Sequence, residues 1–205
     1  MSKQIILLSG FALAGKSTVA SHLVSFHGFQ EEMFARPIYE MICAMYNDKY
    51  TVEDLQRMKT NNECLPHSRI TVRKMLQTLG TEWARFNVGE DIWARLAFDR
   101  INQAKYDKFV ISDCRFRNEY TYFVDITAAD IWDGTKADLW FVNREQLAKD
   151  AEIYKHASEI EAHWLANSAV KHLYNNVTKE ALYSAVDAMM GATSVHDMMD
   201  ADDNL

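Results

Sequence analysis

The run Gly10-Phe11-Ala12-Leu13-Ala14-Gly15-Lys16-Ser17 has the spacing G-x-x-x-x-G-K-[ST]. In that pattern the loop's backbone N–H groups close around phosphate, and a helix start with its favourable dipole follows. Lys16 supplies a compact cation that reaches terminal phosphates. The Ser17 hydroxyl is a hard oxygen ligand for the magnesium ion that accompanies a nucleoside triphosphate. Gly10, Ala12, Ala14, Gly15, Lys16, Ser17 and Thr18 are therefore the candidate ATP-binding residues. A second chemical landmark is Lys108-Phe-Val-Ile-Ser-Asp113, an apolar run that ends in an acid. At the carboxyl end of a strand in a P-loop protein such an acid holds a magnesium-bound water, which makes Asp113 the second candidate metal group. Arg115 and Arg117 follow it at once.

Elements of a definite kind are needed to hold these groups. Ile5 to Leu8 reads as a buried strand before the loop. Val19, Leu23 and Phe26, widened by Ala20 and Val24, give the helix after it an apolar stripe. Phe29 to Phe34 reads as a second strand, and Pro37 suits the first turn of a helix to about Tyr46 whose inward face is Ile38, Met41, Ile42 and Met45. Thr51 can cap a short helix from Val52 to Met58, and Lys59 to Arg69 reads as loop. A helix is expected over Thr71 to Trp83, with Val72, Leu76, Leu79 and Trp83 inward and Arg73, Gln77 and Thr81 on a polar face. Arg73 stands out because that helix ends in Gly80-Thr81, where backbone can approach a ligand closely.

After a turn at Asn87 to Asp91, Ile92 to Gln103 reads as a helix with Trp93, Leu96, Ala97 and Ile101 inward. Further helix is expected from Asn118 to about Asp125, and strands over Asp138 to Val142 and Ala169 to Tyr174. Between those strands Glu145 to Leu165 is polar and helical, with Lys149, Lys155 and His156, and lies where a lid could close over phosphates. Thr178 caps a last helix that turns Leu182, Ala185, Val186 and Met189 inward. Five strands alternating with helices imply right-handed crossovers and a parallel sheet covered on both faces.

Composition fits this α/β reading and excludes other classes. The 205 residues are 48% hydrophobic and 25% charged, and no apolar run approaches a membrane span or a signal peptide. A net charge of −7 speaks against a general nucleic-acid surface. Four of those charges, Asp197, Asp200, Asp202 and Asp203, fall in an acidic tail after Gly191 that reads as a solvated end. Cys43, Cys64 and Cys114 are odd in number and widely spaced, as expected of reduced thiols in a cytoplasmic setting. His156, Glu159 and His163 share a helical face, but the spacing is not His-Glu-x-x-His and the zinc reading is set aside.

Taken in order, Lys3 to Thr18, Arg73-Lys-Met-Leu-Gln-Thr-Leu-Gly-Thr-Glu82, Trp93, Ile111-Ser-Asp-Cys-Arg-Phe-Arg-Asn-Glu119 and His156-Ala-Ser-Glu159 resemble bacteriophage deoxynucleoside monophosphate kinases. The resemblance implies a nucleoside monophosphate kinase-type P-loop fold and transfer of the γ-phosphoryl group of ATP to a deoxynucleoside monophosphate. By that pattern Arg73, Gly80, Thr81 and Trp93 would border the acceptor, with Gln77 on the same polar face. Asp113, Arg115 and Glu119 would lie between acceptor and metal, and Arg144 and His156 would belong to a lid. Family members carry a small or acidic residue and then a lysine around one proline. Here the stretch is Arg36-Pro37-Ile38-Tyr39, with a basic side chain kept but moved, and Arg36 and Ile38 are the candidate acceptor-binding residues in it.

The expected organisation is one kinase domain over 1–190, with an acceptor-binding insertion at about 36–105, a lid at about 144–165 and the tail 191–205. Phosphoryl transfer needs cations and positioning, met by Lys16, Arg115 and Arg144 with Asp113, and no general base. ATP, Mg2+ and a small acceptor are the implied ligands, a homodimer stays open, and a phage protein would work in the host cytoplasm. Two alternatives share the P-loop: a kinase of another phosphorylated metabolite, and a nucleotide-binding switch or assembly protein.

Overall fold

A computed structural model describes residues 2–128, 134–144 and 157–191. The chain divides into two compact units, one of residues 1–32 with 104–205, the other of residues 33–103.

The first unit is built on a five-stranded, wholly parallel sheet: β1 (Gln4–Ser9), β2 (Gln30–Glu32), β3 (Lys108–Ile111), β4 (Lys136–Asn143) and β5 (Lys171–Tyr174), in spatial order β2-β3-β1-β4-β5. β1 is central, pairing Ile6 with Val110 on one side and with Asp138 on the other. Side chains alternate across a strand, so a run buried on both faces is needed there, and Ile5 to Leu8 supply it with no solvent exposure. Ile6, Leu8, Val110, Trp140, Val142 and Leu173 meet Val19, Ala20 and Leu23 of α1 (Lys16–His27) and Leu182 and Val186 of α8 (Lys179–Met190). On the opposite face α6 (Arg117–Ala128) and α7 (Ala157–Ser168) pack on β4, and α7 reaches β1.

The second unit contains α2 (Arg36–Met45), α3 (Val52–Thr60), α4 (Val72–Gln77), which continues as a π-helical segment Thr78–Arg85, and α5 (Ile92–Gln103). The Thr51 hydroxyl accepts from Asp54 N–H while Asp54 accepts from Thr51 N–H, the capping box that starts α3.

Several expectations need correction. β2 and β5 are shorter than Phe29–Phe34 and Ala169–Tyr174. In α1, Phe26 is 65% exposed and Val24 also faces solvent, because His22 occupies the inward position beside Leu23. In α2, Met41 and Met45 are exposed, and Tyr39 and Cys43 join Ile38 and Ile42 inside. The helix expected over Thr71–Trp83 changes its winding after Gln77. Bonding from i to i+5 widens the turn, so Gly80 and Ala84 face inward and Trp83 is 47% exposed. Residues 145–156 of the expected lid, and the tail beyond Gly191, lie outside the described residues. Among the described residues no helix is long and apolar enough to cross a membrane.

Candidate active site

The phosphate loop leaves the buried end of β1 under tight backbone constraints. Gly10 has φ 142°, and a Cβ there would collide with the Val142 carbonyl oxygen of β4, so only glycine fits. Gly15 has φ 110° as the N-cap of α1, and a Cβ there would meet the Asn175 amide. Asn175 Nδ2 donates to the Ala14 carbonyl at 2.9 Å, and Ala14 N–H donates to Phe11 O at 3.2 Å. Leu13 takes φ 63° with its side chain in solvent, a conformation that costs a non-glycine residue about 1 kcal/mol or more. Arg144, the residue after β4, donates from Nη1 to Leu13 O at 3.4 Å. Lys16 Nζ donates to Gly10 O at 2.6 Å and Phe11 O at 2.8 Å, which holds its ammonium against the opening of the loop. Phe11 itself is buried between Phe141 and the ring of His163, at 5.9 Å and 5.4 Å. The zinc reading of the His156 face has its one described side chain, His163, engaged in this packing.

β3 pairs with β1 and ends at Ile111, so the turn that follows emerges at the same carboxyl edge of the sheet as the loop. Asp113 lies half-buried in that turn, and Arg115 is exposed. Glu119 is 3% exposed and its Oε2 accepts from Arg115 N–H at 2.7 Å and Phe116 N–H at 3.0 Å. Its carboxylate thus fixes the backbone that carries Arg115. Arg117 has a structural post: its guanidinium sits 4.5 Å from the Trp164 ring centroid, and its N–H donates to Glu161. The groups suited to magnesium are all oxygen, the exposed Ser17 hydroxyl in the first turn of α1 and the Asp113 carboxylate, a hard donor set that fits the ion.

In the helical unit the expected acceptor residues divide. Ile38 is 5% exposed, and a Cβ on Gly80 would stand 2.9 Å from its Cδ1. Trp93 is 4% exposed, with Nε1–H donating to Gly80 O at 2.8 Å. Ile38, Gly80 and Trp93 therefore form a packing seam. Arg36 is the first residue of α2 and half-buried. Arg73 and Gln77 are exposed and Thr81 is half-buried, with Arg73 Nη2 donating to Lys59 O at 3.3 Å. His156 lies outside the described residues. Sequence reasoning passed over Asn175, the clamp on the loop. Its one signal is position, directly after β5 as Arg144 directly follows β4.

A glycine-rich cradle between β1 and α1, a lysine at its mouth and an acid after the neighbouring strand define a P-loop phosphotransferase. The sequence profile of the deoxynucleotide monophosphate kinase family matches residues 48–186. A protein of Acanthamoeba polyphaga mimivirus, provisionally described as a deoxynucleotide monophosphate kinase, is 27% identical over 202 residues, spanning 89% of this chain and 93% of the viral one. The crystal structure of TT1252 from Thermus thermophilus superposes with a TM-score of 0.51 at 16% identity, covering 93% of this chain and 98% of that one. A dephospho-CoA kinase from Campylobacter jejuni gives 0.49 at 13% identity, with 93% and 96% covered. The Thermus structure is a likeness of fold alone. The chain belongs to the deoxynucleotide monophosphate kinase family and is a nucleotide kinase.

Proposed function

We propose that the protein transfers the γ-phosphoryl group of ATP to a deoxynucleoside monophosphate, giving the corresponding diphosphate and ADP. The observation that carries this reading is the constrained loop with Lys16 and Arg144 on it, beside the Asp113 turn, in a chain of this family. The bond between the γ-phosphorus and the β–γ bridging oxygen breaks, and one forms to a phosphate oxygen of the acceptor. That oxygen is already ionised, so no side chain has to remove a proton. The transition state is loose and spreads charge over the equatorial oxygens, so cations and positioning carry the rate.

Lys16 exchanges the Gly10 and Phe11 carbonyls for the phosphates. Arg115, on the turn fixed by Glu119, meets the charge on the transferring group, a role that contributes on the order of a thousandfold in rate. Arg144, tethered to the loop carbonyl of Leu13, assists from the other side. Ser17 and, through water, Asp113 hold Mg2+, which neutralises phosphate charge when bound. Arg36, Arg73, Gln77 and Thr81 are the acceptor-binding residues.

A coupled assay of ADP release tests the reading, run with each common deoxynucleoside monophosphate and its ribose analogue. Turnover should depend on an added acceptor. If no acceptor raises it above the rate with ATP alone, the assignment fails.

A further inference from the structure

On the sheet unit, at a distance along α1 from the phosphate loop, three ligand-bearing side chains converge. Nε2 of His22, Nε2 of His27 and a carboxylate oxygen of Asp187 all lie within 4.8 Å of one another. Both imidazole nitrogens stand 2.7 Å from the same oxygen, Asp187 Oδ1, so residues of α1 and α8 share one point. His22 and His27 lie six and eleven residues beyond Lys16, about 9 and 16 Å along the helix axis, too far to serve the nucleotide's own metal.

The side chains are set before any ligand arrives. The His22 ring stacks on Tyr183 at 4.1 Å and 11°, and lies 4.8 Å from Phe26. The His22 and His27 side chains are 6% and 10% exposed, and Asp187, at 21%, gives the way in from solvent. Two imidazoles and one carboxylate form a donor set for zinc and neighbouring divalent transition metals, not for magnesium, which prefers oxygen. We propose that His22, His27 and Asp187 form a three-ligand site for a zinc-class divalent ion, its fourth position taken by water, that joins α1 to α8.

One detail sets its strength. An ionised carboxylate only accepts, so while bonded to Asp187 both rings carry their proton on Nε2. Ligation moves each proton to Nδ1, and Nδ1 of His22 is buried with no hydrogen-bond partner. Lacking that outer support, the site should bind about ten- to a hundredfold more weakly than one with both outer nitrogens bonded.

The test is calorimetric titration of the full chain, free of any histidine tag and stripped with chelator, with zinc ion alone. One equivalent should bind with a Kd of about 1 μM or tighter, and the melting temperature should rise with zinc. His27→Gln and Asp187→Asn should each lose that equivalent and the zinc-dependent rise in melting temperature, with turnover of Mg-ATP unchanged. Cobalt(II) should give the visible absorption of a four-coordinate ion in the parent chain and not in the variants. Zinc bound as tightly by His27→Gln as by the parent overturns the proposal, as does no uptake by the parent at about 100 μM metal. Should Asp187→Asn fail to fold, His27→Gln decides alone.

Discussion

The sheet unit and the helical unit hold their candidate residues by different means. At the carboxyl edge of the sheet the candidate groups stand on turns whose backbone is clamped by neighbouring elements. Val142 leaves no room at Gly10, Asn175 grips Ala14, Arg144 reaches Leu13, and Glu119 ties down Arg115 and Phe116. In residues 33–103 the candidates Arg73 and Gln77 stand on the solvent side of a helical segment, and its inward side is the seam of Ile38, Gly80 and Trp93. The first arrangement fixes position through bonds and close contacts to the main chain of the turns. The second fixes position through side-chain packing, so damage to the seam acts on the acceptor residues at one remove.

Substitutions can break that contrast or sharpen it. Lys16→Ala should lower kcat by about a thousandfold or more while the thermal unfolding curve stays close to the parent's, since the lysine contacts the loop and not the core. A variant that unfolds would show the lysine to be a structural strut. Arg115→Ala should reduce kcat by about a hundredfold or more with little change in ATP affinity. Near-normal kcat with a raised acceptor KM would make Arg115 a binder only.

Gly10→Ala forces a side chain against backbone that cannot yield, and should cost about 3 kcal/mol or more of stability by chemical denaturation. In the helical unit, Trp93→Phe removes the bond to Gly80 O and should cost only about 1–2 kcal/mol, with acceptor KM altered less than threefold, roughly. A tenfold rise in KM at unchanged stability would mean that Trp93 touches the nucleotide, and the contrast between the units would fall.

The smallest effect concerns pH. Burial pushes the Asp187 carboxyl upward, but hydrogen bonds from His22 and His27 outweigh it and hold the group below the usual carboxylate range. A depressed native value gives stability that is present above the ordinary aspartate pKa of 3.8 and is lost as pH falls through the lowered native value. Asp187→Asn should flatten the stability profile below about pH 4, read from melting temperature against pH. A profile that keeps the parent's slope there would remove Asp187 from the account of acid sensitivity.

How much of this was legible in the residues follows the same division. The loop could be read because its spacing has a backbone cause, and Asp113 because an apolar run leads to it. Helix α5 falls on Ile92–Gln103 as its periodicity predicts. Periodicity failed at α1, where a polar ring lies inside and Phe26 outside: what draws His22 inward is a carboxylate 165 residues away and an aromatic stack, neither visible in a local stripe. It failed again after Gln77, where the Trp93 indole takes the Gly80 carbonyl and the winding widens. Glu119 was legible as part of a motif, but its bonds to the Arg115 and Phe116 backbone were not, because a motif names a residue without saying what it holds.

The wide turn at Thr78–Arg85 is also a matter of counting. A π segment is a helix that holds one residue more than the α path between the same two ends requires. Remove one residue from it and the α path closes between the same two ends, so Gln77 and Phe86 keep their places and only the residues between them change register. Thr81 would leave its side of the helix and Gly80 would abandon its place beneath Ile38. The extra residue is therefore a choice of which side chains face inward, and a single deletion would reset that choice within Thr78–Arg85 while its two ends stay put.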